Sequence, residues 1–123
     1  MSEERTFTVE EASAELEELR ERLPRLRQAR RALIDASRRI DAAVGVDGGG
    51  VDGGDWFRAQ ALLREELEWV VSRGLVLRDP DAGLVDFPAH RDGEEVFLCW
   101  RLGEPAIAWY HGRRSGFSGR RPL

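Results

Sequence analysis

Apolar and small residues recur at Ala12, Leu16, Leu19, Leu23, Leu26, Leu33, Ile40 and Val44, in steps of three, four or seven. That spacing traces one stripe down a long helix over residues 7–44. Its start is written in Phe7-Thr8-Val9-Glu10-Glu11, where Thr8 can cap the first turn and Glu11 can return a bond to the Thr8 amide. Arg30 and Ser37 stand where the stripe calls for apolar residues. Pro24 removes a backbone donor and crowds the carbonyl of Arg20, at about 3 kcal/mol in a regular helix interior. The pattern therefore predicts a kink or a break between Arg20 and Pro24. With no cap residue before Pro24, one bent helix is favoured over two.

Residues 45–54 read GVDGGGVDGG, a tandem pentapeptide with six glycines in ten residues and too little side chain to bury, and so a flexible loop. Its aspartates fit neither an EF-hand nor a stacked nonapeptide array, so the linker reading is preferred to calcium binding. Asp55 then caps a second helix over residues 55–73, with Trp56, Ala59, Leu63, Leu67 and Val70 as its core face and Gly74 as its stop. It is expected to run antiparallel to the first.

After Gly74 the period changes to two. Residues 75–78 and 83–87 read as strands joined by Asp79-Pro80-Asp81-Ala82, and residues 95–102 alternate Val96, Leu98, Trp100 and Leu102 against Phe97, Cys99 and Arg101. Residues 106–111 form the partner strand across Gly103-Glu104-Pro105. If that turn uses Gly103 and Glu104 alone, Trp100 faces Ile107, Leu98 faces Trp109, and His111 shares the Trp100 face. The expected fold is a single α+β domain: a long antiparallel helical hairpin, with its kink if any at Pro24, packed with an antiparallel sheet of three to four strands over residues 75–111, followed by an Arg-rich tail over residues 112–123.

Length and charge extend this picture. A first helix of about 36 residues would span roughly 54 Å, twice the reach of the second, which leaves part of its stripe for the sheet or for another chain. Residues 1–22 carry eight acids and three arginines, whereas residues 25–39 carry six arginines and one aspartate. An antiparallel pair of identical helices would then set acidic half against basic half, so a homodimer is expected, with a further protein partner as an option.

The 123 residues suit one folding unit, and a net charge of −4 disfavours nucleic acid and anionic membranes as partners. A lone cysteine, no basic-then-apolar leader and no apolar run near the length of a membrane span point to a cytoplasmic protein. All nineteen basic residues are arginines, which reads as codon bias.

Candidate chemistry gathers in the last third of the chain. Asp86, Arg101, Glu104 and His111, with His90 in a nearby turn, are polar groups set among Trp100, Trp109 and other aromatics, and together they mark the place for a ligand. Buried charge has to be paired, so Asp86 or Glu104 with Arg101 is most simply an ion pair that fixes the sheet. The second reading makes Asp86, Glu104 and His111 ligands of a divalent metal, although no HxH, HxxxH or CxxC supports it; no other cofactor is expected. A Cys99–His111 nucleophile and base ranks lower, because the preferred register puts them on opposite faces. No catalytic residue is assigned, and an enzyme is the less favoured class. Arg113, Arg114, Arg120 and Arg121 could clamp a phosphate or RNA backbone, but crossing to the acidic half of the first helix is preferred.

Gly83-Leu84-Val85-Asp86-Phe87-Pro88, Leu98 to Pro105, Trp109 to His111 and Gly116-Phe117 through Arg120 and Pro122, behind a helix of the FT-EEA type, resemble the family known as domain of unknown function 2203. The resemblance covers nearly the whole chain and implies a small prokaryotic protein with no assigned reaction. The family often carries an acidic residue after the histidine, where Gly112 stands here, and that departure weakens an acid/base or metal role. Three function classes follow: a self-associating structural or interaction module, a metal-dependent or small-ligand protein, and an RNA-binding adaptor.

Overall fold

The computed structural model describes residues 5–47 and 54–123, without the side chains of residues 43–47. Thr8 opens helix α1 (Val9–Ala14) with the expected capping box. Its hydroxyl accepts from the Glu11 amide at 3.0 Å, and the Glu11 carboxylate accepts from the Thr8 amide at 3.0 Å. At Glu15 the helix tightens, the amide donating to the carbonyl of Ala12, before α2 (Leu16–Asp47) continues for 32 residues. Of the kink or break expected at Pro24, the break does not occur: α2 runs through the proline as one helix, the alternative that the lack of a cap residue favoured. The interruption falls instead at Glu15, whose buried carboxylate is gripped by Arg73.

Helix α3 (Gly54–Ser72) returns along α2 in the antiparallel sense. Trp56 Nε1 donates to Ser37 Oγ at 3.0 Å, Arg22 meets Glu66 at 3.1 Å, and Arg73 meets Glu15, so position rises along one helix as it falls along the other. The helices reach into both ends of the Gly-rich segment expected as a loop over residues 45–54, and its centre lies outside the described residues.

The sheet has five strands, β1 (Val76–Asp79), β2 (Leu84–Arg91), β3 (Glu94–Arg101), β4 (Trp109–Gly112) and β5 (Arg121–Pro122), antiparallel and in chain order. This exceeds the three to four expected, because the Arg-rich tail folds back through a 3-10 turn (Phe117–Gly119) and pairs Arg121 with Tyr110. Between β2 and β3, Asp92 and Gly93 take φ of 51° and 81°, the left-handed pair a two-residue hairpin needs.

Alternation divides the sheet. Val85, Phe87, Ala89, Val96, Leu98 and Trp100 join Phe7, Leu16, Leu19, Leu23, Leu26 and Val70 in one core. Of the two covers expected for the part of the stripe that the second helix leaves, the sheet serves along its first half, with Leu19, Leu23 and Leu26 at 1% exposure or less. Its two polar interruptions are ties: Ser37 accepts from Trp56, and Arg30 meets Asp81 at 3.1 Å. Apolar surface is exposed instead on α3, where Phe57 is 67% and Val71 75% accessible. Among the described residues no helix is long and apolar enough to cross a membrane.

Candidate functional site

The face of the sheet turned away from the helices carries the chemistry. Asp86 on β2 pairs in register with Cys99 on β3, and Cys99 pairs with Trp109 on β4, two residues before His111. Asp86, Cys99 and His111 therefore share that face. Each is at most 3% exposed, and one donor atom from each lies within 4.8 Å of the other two. This corrects the expected register. The pairing is Leu98 with Tyr110 and Phe97 with His111, one residue away from Leu98 with Trp109, and an odd shift moves a whole strand to the opposite face.

The cause is the connection between β3 and β4, which is longer than a two-residue turn. Glu104 folds back so that its carboxylate accepts from the Arg101 amide at 2.7 Å, its carbonyl accepts from Trp100 Nε1 at 3.1 Å, and its own amide donates to the Arg101 carbonyl. A side chain thus takes a ladder position that a strand partner would otherwise fill. Arg120 clamps the same carboxylate at 2.8 and 2.9 Å, and Arg20 donates to the carbonyl of Pro105 at 3.0 Å.

Asp86 Oδ2 accepts from Arg78 Nε at 2.8 Å and meets His111 Nε2 at 2.9 Å, while Oδ1 is buried with no hydrogen-bond partner among the described residues. The other ring nitrogen, Nδ1, donates to the carbonyl of Gly112 at 2.7 Å. A carbonyl can only accept, so Nδ1 carries a hydrogen, and Nε2 is the atom turned to the carboxylate. Burial, and then the neighbouring Asp86 carboxylate, pushes the Cys99 thiol up to about 12, so without a cation it is an inert thiol at neutral pH. Asp86 and His111 open on a cavity of about 250 Å³ walled also by Arg78, Arg114, Gly116 and Phe117.

The other expected site residues are dispersed. Trp100 is fully buried on the helix face, and so cannot form one aromatic patch with His111. Glu104 is held by Arg120 instead of joining Asp86 and His111, and Arg101 meets it only through the backbone, its side chain exposed. The ion pairs foreseen for Arg101 are made by Arg78 with Asp86 and by Arg120 with Glu104. Arg120 also lies over the rings of Trp109 and Phe117, and Arg113 pairs with Glu95, so these tail arginines serve the sheet and not the first helix. Arg114 is exposed beside the cavity, and Arg121 is exposed on β5. His90 lies within β2, paired with Glu95, and not in a turn, and it is exposed.

A helical hairpin laid on one face of a five-stranded antiparallel sheet, with a carboxylate, an imidazole and a thiol buried together on the other, defines a small α+β protein with a polar cluster on the outer face of its sheet. The family model described as uncharacterized conserved protein (DUF2203) matches residues 5–123, essentially the whole chain, and the protein belongs to that family. No curated protein and no solved structure matches it.

Proposed function

We propose that the protein is a self-associating interaction module whose contact surface is the outer face of α3. The exposure of Phe57, Leu67 and Val71 carries this reading. With Gln60 and Arg64 they recur at steps of three, four and seven, so they form one stripe, turned away from the Ala59, Glu66 and Val70 face that packs inward. A groove of about 520 Å³ runs along it, lined by Leu63, Leu67 and Val71 with Arg64 and Glu68 at its edges. Exposed apolar surface of this kind on a soluble helix marks a contact site.

A second copy of the chain is the occupant that fits. In an antiparallel pairing of two α3 helices about a two-fold axis between Arg64 and Leu67, Arg64 of each copy lies beside Glu68 of the other. Val71 then covers the stem of Gln60. The longer helix is a poorer seam, since its basic half already meets Asp81 and Asp55 within the chain.

Sedimentation equilibrium tests the reading. The wild-type chain is expected at twice the monomer mass, and Val71→Glu at the monomer mass with an unchanged circular dichroism spectrum. A monomeric wild type at high concentration, or a Val71→Glu dimer, would refute it.

A further inference from the structure

We infer that Asp86, Cys99 and His111 form a binding site for one divalent transition metal of the zinc class, with a fourth position opening on the adjoining cavity. This site is independent of the α3 surface and rests on the opposite layer of the fold.

The donor set is the first ground. A thiol, an imidazole and a carboxylate suit zinc, and the sulfur in particular disfavours magnesium and calcium. All three side chains are at most 3% exposed, and their donor atoms lie within 4.8 Å of one another. Donors around a tetrahedral zinc sit about 3.3–3.7 Å apart by ordinary bond lengths. The 2.9 Å between Nε2 and Oδ2 opens to that by a few tenths of an ångström, and the longest separation closes by about one.

The second ground is the unpartnered Asp86 Oδ1. A carboxylate oxygen with no full hydrogen-bond partner among the described residues is costly to bury, and here it belongs to a side chain only 1% exposed that faces His111 and the weak S–H donor of Cys99. A cation among the three would satisfy it. The third ground is the orientation of the imidazole. Metal-bound histidines donate their other ring N–H to a carbonyl or carboxylate, which fixes the tautomer, and Nδ1 of His111 does so to the Gly112 carbonyl at 2.7 Å. Nε2 is thereby left for the cluster.

Arg78 is the arginine bonded to Asp86. It holds Oδ2 through a single Nε contact at 2.8 Å, and its side chain is 44% exposed, so it can withdraw toward solvent without unfolding anything. On binding, the thiol proton, and the hydrogen between Nε2 and Oδ2, pass to solvent as the metal takes their places. The cavity of about 250 Å³ leaves room at the fourth position for water or a small anion, with Arg114 at its wall.

Cobalt(II) is the probe. Protein purified without a metal-affinity tag and stripped with chelator is titrated with cobalt while the near-ultraviolet and visible spectrum is followed. Uptake of one equivalent is expected, with a thiolate-to-cobalt charge-transfer band and tetrahedral visible absorption, both abolished by zinc. Because Cys99 is the chain's only cysteine, the band identifies its ligand in the wild-type protein, whether or not variants fold. Cys99→Ser should lose the band. His111→Gln should weaken affinity by more than the roughly 10–100-fold that outer-sphere partners contribute. Failure of wild-type protein to take up cobalt stoichiometrically, a spectrum without the charge-transfer band, or a band that survives in folded Cys99→Ser overturns the assignment.

Discussion

The ion pair between Glu15 and Arg73 offers the sharpest test of how the helices are held. Glu15 is 3% exposed, its carboxylate accepts from Arg73 Nε at 3.1 and 3.2 Å and from Nη2, and Arg5 stands 3.8 Å away. Replacing Arg73 by methionine keeps the aliphatic stem and strands the carboxylate. Losing one partner of a buried pair costs about 3–5 kcal/mol. Two features reduce that figure here: the Arg73 side chain is 46% exposed, and Arg5 remains as a second cation. The expected loss is about 2–3 kcal/mol. Glu15→Met with Arg73→Met, which removes both charges, should recover much of it, leaving a coupling of about 1–2 kcal/mol. Equilibrium unfolding in urea measures all three variants, with an unchanged denaturant slope as the check on two-state behaviour. Arg58→Met is the control, because its partner Asp55 is well exposed and the change should stay within about 0.5 kcal/mol. An Arg73→Met loss no greater than that of Arg58→Met would refute the reasoning.

Four further outcomes are expected. Thr8→Ala should cost about 1 kcal/mol by urea unfolding. The Glu11 carboxyl is held below its ordinary value by hydrogen bonds from the Thr8 backbone and then its side chain, so its stabilising share is present above about pH 4.5 and is lost as pH falls through the lowered value; the gap between wild type and Glu11→Gln should narrow in acid. Gly83→Ala should lower the thermal midpoint by the equivalent of at least about 2 kcal/mol, since φ is +70° and the new Cβ would stand 2.6 Å from Leu102 Cβ, whereas Gly93→Ala, with open space around it, should cost about 1 kcal/mol. Metal-free native protein at pH 8 should react with a thiol reagent only as fast as it opens, and within seconds once denatured; rapid labelling of the native state would contradict a thiol pushed up to about 12.

Much of the helical layer is legible in the sequence because its signals are local. The capping box at Thr8 and Glu11, the three-and-four spacing from Ala12 to Leu26 and the stop at Gly74 each depend on neighbours a few residues away. What the stripe does not tell is who covers it. Length alone leaves part of it for the sheet or another chain, and the sheet takes that place through Phe87, Leu98 and Trp100. Arg30 and Ser37 look like flaws in a repeat, yet their partners, Asp81 and Trp56, lie 51 and 19 residues away. The buried Glu15 and Glu66 were equally hidden, since an acid on a helix reads as solvated until the arginine that meets it is placed.

The candidate site turned on a single residue of register. Asp86 and His111 stood out as polar groups among aromatics, and the structure does bring them together at 2.9 Å. The sequence alone disfavours Cys99, because a two-residue turn at Gly103 and Glu104 would send His111 to the Trp100 face. Glu104 prevents that turn by capping the Arg101 amide with its own carboxylate, so the ladder resumes only at Trp109 and His111 reaches the Cys99 face. The signal was present in the residues: an acid followed by proline just after a strand is suited to close a loop through its side chain, because proline offers no amide for the ladder. Glu104 is therefore a positioning residue for the cluster and not a member of it. Its partner Arg120, folded back by the tail over Trp109 and Phe117, extends the same brace. The departure at Gly112 bears on the cluster from the other side, for it is the backbone carbonyl of that residue, which any side chain there would share, that orients His111.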